Sequence, residues 1–163
     1  MAQTVHLKLE IEGSRIEGES SVRSLDREGT IECSAFQYGV TTPRDEASGT
    51  LTGRRKHEPV TITKKIDKTT PLLLKALCEN RQIDSAEFRF YRPSMGGSGS
   101  EEHFYTVLIE NGYIEGVHQL SEDTIIGGEE APPMMEEVSF IFQDITWTYE
   151  IGGATAKDSW RGE

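Results

Sequence analysis

The sequence predicts a mainly β, antiparallel domain with one short α-helix, and three observations carry that prediction. Apolar and polar residues alternate at a period of two in run after run, with Gly, Pro, Asn, Asp and Ser between the runs. The alternation gives way to a helical pattern once, inside residues 60 to 77. Several runs carry apolar residues on both faces, as strands covered on two sides do. A chain of 163 residues fits one domain, residues 1 to 163, whose core needs no disulfide or metal staple.

The strand-like runs are Thr4 to Ile11, Ile31 to Val40, Val60 to Ile66, Ala86 to Arg92, His103 to Glu110 and Glu136 to Ile151. The Val60 run leads straight into the helix. Val60, Ile62, Lys64 and Ile66 alternate with Thr61, Thr63 and Lys65. Thr70 then has the side chain of an N-cap, and Pro71 suits the first helical position, where no intrahelical donor is lost. Leu72, Leu73, Leu74, Ala76, Leu77 and Cys78 leave only Lys75 and Glu79 polar before Asn80, which predicts a helix buried on most sides. The last run is too long for one flat strand, and its apolar parity switches from Val138, Phe140 and Phe142 to Ile145, Trp147 and Tyr149. One extra residue near Gln143 or Asp144, a β-bulge, would restore a single inward face and bend the strand as barrel closure requires.

Phe104 and Leu108 oppose Tyr105, Val107 and Ile109, and Phe36 and Tyr38 oppose Cys33 and Ala35. In a chain only 35% hydrophobic, such strands call for a cover on the outer surface, either a second layer of the same chain or a neighbouring subunit. Residues 41 to 56 form a connection longer than most in a compact domain, expected to be functional, hairpin-forming or mobile. Residues 94 to 102 read as a flexible hairpin tip. Residues 119 to 135 read as an acidic crossover in which Gly127, Gly128, Pro132 and Pro133 block regular structure, and the tail from about 153 to 163 is expected to be loosely held.

Composition removes several classes of function. With 28 acidic against 17 basic residues the formal charge is −11, a field that repels nucleic acid. The opening residues hold no apolar core after a basic start, and no later stretch is long and apolar enough to insert into a membrane. The chain is therefore expected to be made and folded in the cytoplasm without a cleavable signal peptide. Cys33 and Cys78 have no CxxC spacing and read as reduced core thiols. His6, His57, His103 and His118 are dispersed, so neither metal nor cofactor is expected. The Gly96 to Ser100 tract lacks the final glycine of a nucleophile elbow and the lysine of a phosphate-binding loop, and no catalytic residue is assigned. Phe88, Phe90, Tyr91, Phe104, Tyr105, Phe140, Phe142, Trp147 and Tyr149 leave one alternative of another class, a secreted β-sandwich that binds carbohydrate or acts as an adhesin.

The remaining signal is charge placement. The 41 to 56 loop carries Arg44, Asp45 and Glu46 and ends in the basic cluster Arg54, Arg55 and Lys56, whereas Glu122, Asp123, Glu129 and Glu130 lie in the later crossover. These are either solvated loop charges, worth little as pairs, or the two halves of a head-to-tail contact. A heterologous contact that does not close propagates as a filament.

Several blocks of the sequence resemble the Hcp family, the hemolysin-coregulated proteins of type VI secretion systems, in the family's order. They are Gly18-Glu19-Ser20, the run from Ile31 to Val40, the segment from Thr52 to Leu77 and the segment from Glu136 to Gly153. The resemblance implies an antiparallel β-barrel of two sheets with the helix at its side. It implies a homo-hexameric ring that stacks into an exported tube, contacts sheath and spike proteins, and carries small effector proteins in its lumen. The long 41 to 56 loop is then the first candidate to reach a neighbouring ring. Some family members carry a toxic domain after the barrel, and none is expected here.

Overall fold

The computed structural model describes residues 3–97 and 99–160. Strand β1 (Thr4–Ile11) turns at Glu12 and Gly13, with φ of 48° and 80°, into the short β2 (Ser14–Ile16). Two central residues in the left-handed region match the twist of the flanking strands. The run beginning at Ile31 is not one strand. β3 (Ile31–Cys33) pairs with β1, while β4 (Ala35–Gln37) pairs with β7 (Val60–Lys65). The crossing occurs at Ser34, whose N–H and hydroxyl both donate to the Thr63 carbonyl at 2.7 and 3.0 Å.

That crossing closes the barrel. β8 (Ile83–Pro93) pairs with β1 and forms a hairpin with β9 (Glu101–Leu120), and β9 passes on to β10 (Met135–Ile141), which pairs with β7. The circuit β1–β8–β9–β10–β7–β4/β3–β1 has no free edge along the wall. Inside it Leu7, Ile62, Phe88, Ile109, Val138 and Phe140 are fully buried. β9 is long enough to serve both sheets. Its first half pairs with β8 and β11 (Asp144–Tyr149), and its second half pairs with β10.

The parity switch in the last run has a different cause from the expected bulge at Gln143 or Asp144. The pairing Ile141↔Tyr113 resumes as Asp144↔Glu110 with no residue gained or lost. Instead both partners bend together, β9 at Asn111, φ 54°, and its neighbour at Phe142 and Gln143. Gly112 makes the corner possible, since a Cβ there would lie 2.2 Å from the Ile141 carbonyl oxygen. The bulge between β9 and β10 lies on β9 instead, where Ser139 faces Gly116 and Phe140 faces Ile114, leaving Glu115 without an opposite number.

The helix, α1 (Thr70–Cys78), also departs from expectation in two ways. Its N-cap position is Thr69, and the Asp67 carboxylate accepts the Thr69 N–H at 2.9 Å. Thr70 instead turns its hydroxyl inward, accepting from the Asp67 N–H at 3.1 Å and donating to Glu136 at 2.7 Å. Only Leu73 and Ala76 of the apolar set are buried; Leu72 is 46% exposed and Cys78 lies on the surface, so the helix buries one face. Cys33 is buried, and desolvation pushes its thiol up to about 12. Asn80, φ 53°, ends the helix, with Arg81 N–H donating to the Ala76 carbonyl and Asn80 N–H to that of Leu77.

Two further segments are more regular than their sequences suggest. The crossover contains α2 (Thr124–Gly127) followed by a 3₁₀ turn at Gly128–Glu130. The tail folds back after Gly152 and Gly153, both at positive φ, as β12 (Ala154–Ser159), paired along its length with β11. The tail residues 161–163 lie outside the described set, as does Ser98 of the β8–β9 tip.

Candidate assembly surfaces

The 41 to 56 loop is a projecting hairpin. Its stem is the two-stranded ladder of β5 (Val40–Thr41) and β6 (Lys56–His57), and an isolated bridge Arg44↔Leu51 continues it outward. The tip is ordered by its own side chains. Asp45 accepts from the Ser48 N–H and hydroxyl, which holds its carboxyl below the usual range, and Arg44 donates to the Gly49 carbonyl at 3.0 Å.

At the base the hairpin is fastened to β12. Asp158 accepts from Arg55 Nε and Nη2 at 2.5 and 2.7 Å and from His57 Nε2 at 2.7 Å, and Arg55 also donates to the Ser159 carbonyl at 2.9 Å. His57 is buried, with its Nδ1 2.7 Å from the Tyr38 hydroxyl and Trp160 packed 5.4 Å from its ring. Bonding from Arg55, ahead of the opposing effect of burial, brings Asp158 down to about 2. Burial, reinforced by Asp158, pushes the Tyr38 phenol up to about 12. The cluster fastens the hairpin base to β12. Of the expected basic set, Arg55 is therefore turned inward to the same chain, while Arg54 and Lys56 are exposed, as is Glu46.

The acidic crossover leaves the barrel elsewhere. Glu122, Asp123, Glu129 and Glu130 are all exposed, and Asp123 is committed to capping α2, accepting the Ile125 and Ile126 N–H groups at 2.9 and 3.2 Å. The register fixes where the two projections sit. The hairpin enters β7 at Val60, opposite Phe140, whereas the crossover enters β10 at Met135, opposite Lys65. Basic and acidic projections thus leave the same pair of strands by opposite ends.

At the crossover end of β7 lies a polar cluster built on Lys64, which is buried on the same strand face as Val60 and Ile62. Lys64 Nζ, side chain 1% exposed, donates to Glu136, to Asp67 at 3.0 Å and to the Lys65 carbonyl at 2.8 Å. Glu136 also accepts from Thr70 and from Gln119. Each buried charge has several partners, as burial demands. The pairing of Lys64 with Glu136 was not legible, because they are far apart in sequence and Glu136 sits in an acidic stretch.

Of the nine aromatic residues that could stack on sugars, only Tyr149 is exposed, at 40%. Phe88, Tyr91, Phe140 and Phe142 are buried, and Phe36 packs edge-on against Phe88 and Phe90 at 5.3 and 4.9 Å. The outer face at His6 and Tyr91 is covered by the chain itself: Thr30 bonds His6 at 2.8 Å, and the Arg27 guanidinium lies 4.6 Å over the Tyr91 ring. This cover belongs to β1 and β8, whereas Phe104 and Leu108 of the two-sided run stay half-buried. Among the described residues no group of three or more His, Cys, Asp or Glu is placed to hold a metal ion, and no helix is long and apolar enough to cross a membrane.

The comparisons with known proteins agree with this architecture. Residues 8–149 match the family model described as type VI secretion system effector, Hcp. The major exported protein of Pseudomonas aeruginosa is 36% identical over 146 residues, covering 88% of this chain and 84% of that protein. A double mutant of Hcp1 from the E. coli EAEC 042 pathovar superposes with a TM-score of 0.83 at 33% identity, over 98% of this chain and 99% of that one. The secreted protein Hcp3 of Pseudomonas aeruginosa gives 0.76 at 28% identity, over 99% and 100%. The closed barrel, the side helix and these matches make the chain a member of the Hcp family of type VI secretion system proteins.

Proposed function

We propose that this chain is the structural subunit of the exported tube of a type VI secretion system and works by assembly, not by turnover. The observation that carries the reading is the placement of unlike charge at opposite ends of β7 and β10 in a member of this family. Six copies form a ring, and rings stack head to tail so that the hairpin end of one faces the crossover end of the next. A contact of this kind does not close on itself and extends as a tube. Exposed members of the two sets that are not committed to the fold, Arg54 and Lys56 with Glu122, Glu129 and Glu130, orient it. Small, polar ring-to-ring contacts let the tube come apart after delivery. The chain waits in the cytoplasm, is propelled by a sheath behind a spike, and holds small effector proteins in the lumen.

Light scattering on the size-exclusion peak, with negative-stain images of the same fraction, tests the reading. Rings of about six subunit masses are expected, in line with a closed homo-oligomer; monomers at high concentration overturn it. Reversing Arg54 and Lys56 together to Glu leaves the ring intact and reduces stacking. Arg55 is left alone in this variant, because its loss would unfasten the hairpin from β12.

A further inference from the structure

The two projections carry exposed apolar side chains as well as charge. On the crossover, Ile125 and Ile126 are 92% and 86% exposed, the most exposed isoleucines of the described residues. They are adjacent on α2, held up by the Asp123 cap and bracketed by Glu122 on one side and Glu129 and Glu130 on the other. A pair of bare isoleucines on an ordered turn is a costly surface to leave in water.

At the other end of β7 and β10, the hairpin and the tail enclose a cleft of about 790 Å³. Its apolar surfaces are Leu51, 57% exposed, and Trp160, 45% exposed, and its polar rim includes Arg44 and Arg54. Knob and cleft are therefore matched in two independent respects: apolar centre to apolar centre, and acidic bracket to basic rim. They also leave the strand pair β7–β10 by opposite ends, which prevents one chain from satisfying both with itself.

We infer that Ile125 and Ile126 of one copy seat in the Leu51–Trp160 cleft of a second copy in the adjoining ring. The assignment rests on the tube reading above and specifies its contact. An apolar centre surrounded by a charged rim is the arrangement of a specific protein interface, with the rim setting orientation and the centre excluding water. Trp160 is held at the cleft by its own chain: its backbone N–H donates to the Gln143 carbonyl at 2.9 Å, at the barrel corner.

Paired cysteines test the contact. In a Cys78→Ser background, which removes the exposed native thiol, Ile126→Cys and Leu51→Cys are placed in the same full-length chain and treated at high concentration with a short bismaleimide. The expected product is a ladder of covalent multimers, while a mixture of the two single-cysteine chains gives dimers and no ladder. Separately, Ile125→Ser with Ile126→Ser is expected to lower stacked-ring content at least tenfold while leaving ring mass and far-UV spectrum unchanged. Stacked rings that do not cross-link, or a chain carrying Ile126→Cys alone that dimerises, overturn the knob-and-cleft contact and leave the tube reading standing. Monomers from the unsubstituted chain overturn both.

Discussion

The two projections from the barrel are both polar connections of similar size, yet they are ordered by different means. The hairpin of residues 41 to 56 is tied to a distant part of the chain: Arg55 and His57 reach more than a hundred residues along the sequence to Asp158. The crossover is ordered locally, by one aspartate cap on a four-residue helical turn. Its exit, however, is set deep in the barrel, where Glu136 meets Lys64. The difference teaches that projections from the two ends of one barrel are stabilised at separate levels, and each should fail separately.

The largest effect is expected where the crossover enters the wall. Lys64→Met removes the cation and leaves Glu136 buried without its charge partner, a loss of ~3–5 kcal/mol in urea unfolding. Replacing both, Lys64→Met with Glu136→Leu, should recover most of that loss, since two apolar groups need no partner. A double variant as unstable as the single one would show that the hydrogen bonds to Thr70 and Gln119, and not the ion pair, fix this end of the barrel.

Next in size is the fastening of the hairpin. Asp158→Asn weakens the acceptor of a buried histidine and should cost ~1–3 kcal/mol. Amide exchange should accelerate in β5 and β6 while α1 keeps its protection, because the helix shares no bond with the cluster. The same substitution has a pH signature. Asp158 has a folded pKa of about 2, below the ordinary 3.8, so its stabilisation is complete above that ordinary value and is lost as pH falls towards 2. The stability gap between parent and variant should therefore be constant from pH 7 to about pH 5 and close as the pH falls to about 2. A gap that stays open at pH 2 would remove the Asp158 charge as its cause.

Much of this architecture was legible in the residues, and what was missed has identifiable physical reasons. The run Thr4 to Ile11 became β1 with the same limits because its alternation and the Glu12-Gly13 turn agree. β12 is not legible because Ala154 to Ser159 has no apolar alternation; the strand is held by its hairpin pairing with β11 and, from far along the chain, by Arg55. β9 was expected to stop at Glu110 because Asn111 and Gly112 read as a turn, whereas here they form a corner inside a continuing strand. Of the candidate site, the charges themselves were legible. That Arg55 faces inward and Arg54 outward was not, since the register of a two-residue ladder and a partner at Asp158 cannot be read from local pattern.

The smallest effect is expected at the crossover cap, and it is the sharpest test of the comparison. Asp123→Ala removes the acceptor for the Ile125 and Ile126 N–H groups, a cap worth ~1 kcal/mol. Because α2 makes no other described side-chain bond, that loss should stay local: the unfolding midpoint should not move, while exchange at these two amides rises about fivefold, in line with such a cap. If the midpoint did fall, the crossover would be coupled to the barrel as tightly as the hairpin is, and the distinction between a locally capped and a tertiary-fastened projection would collapse. Local loosening with an unchanged midpoint has a further consequence for assembly. It would place Ile125 and Ile126 on a turn whose geometry is set before contact by a single cap, so that the cost of ordering it on stacking is small and adjustable.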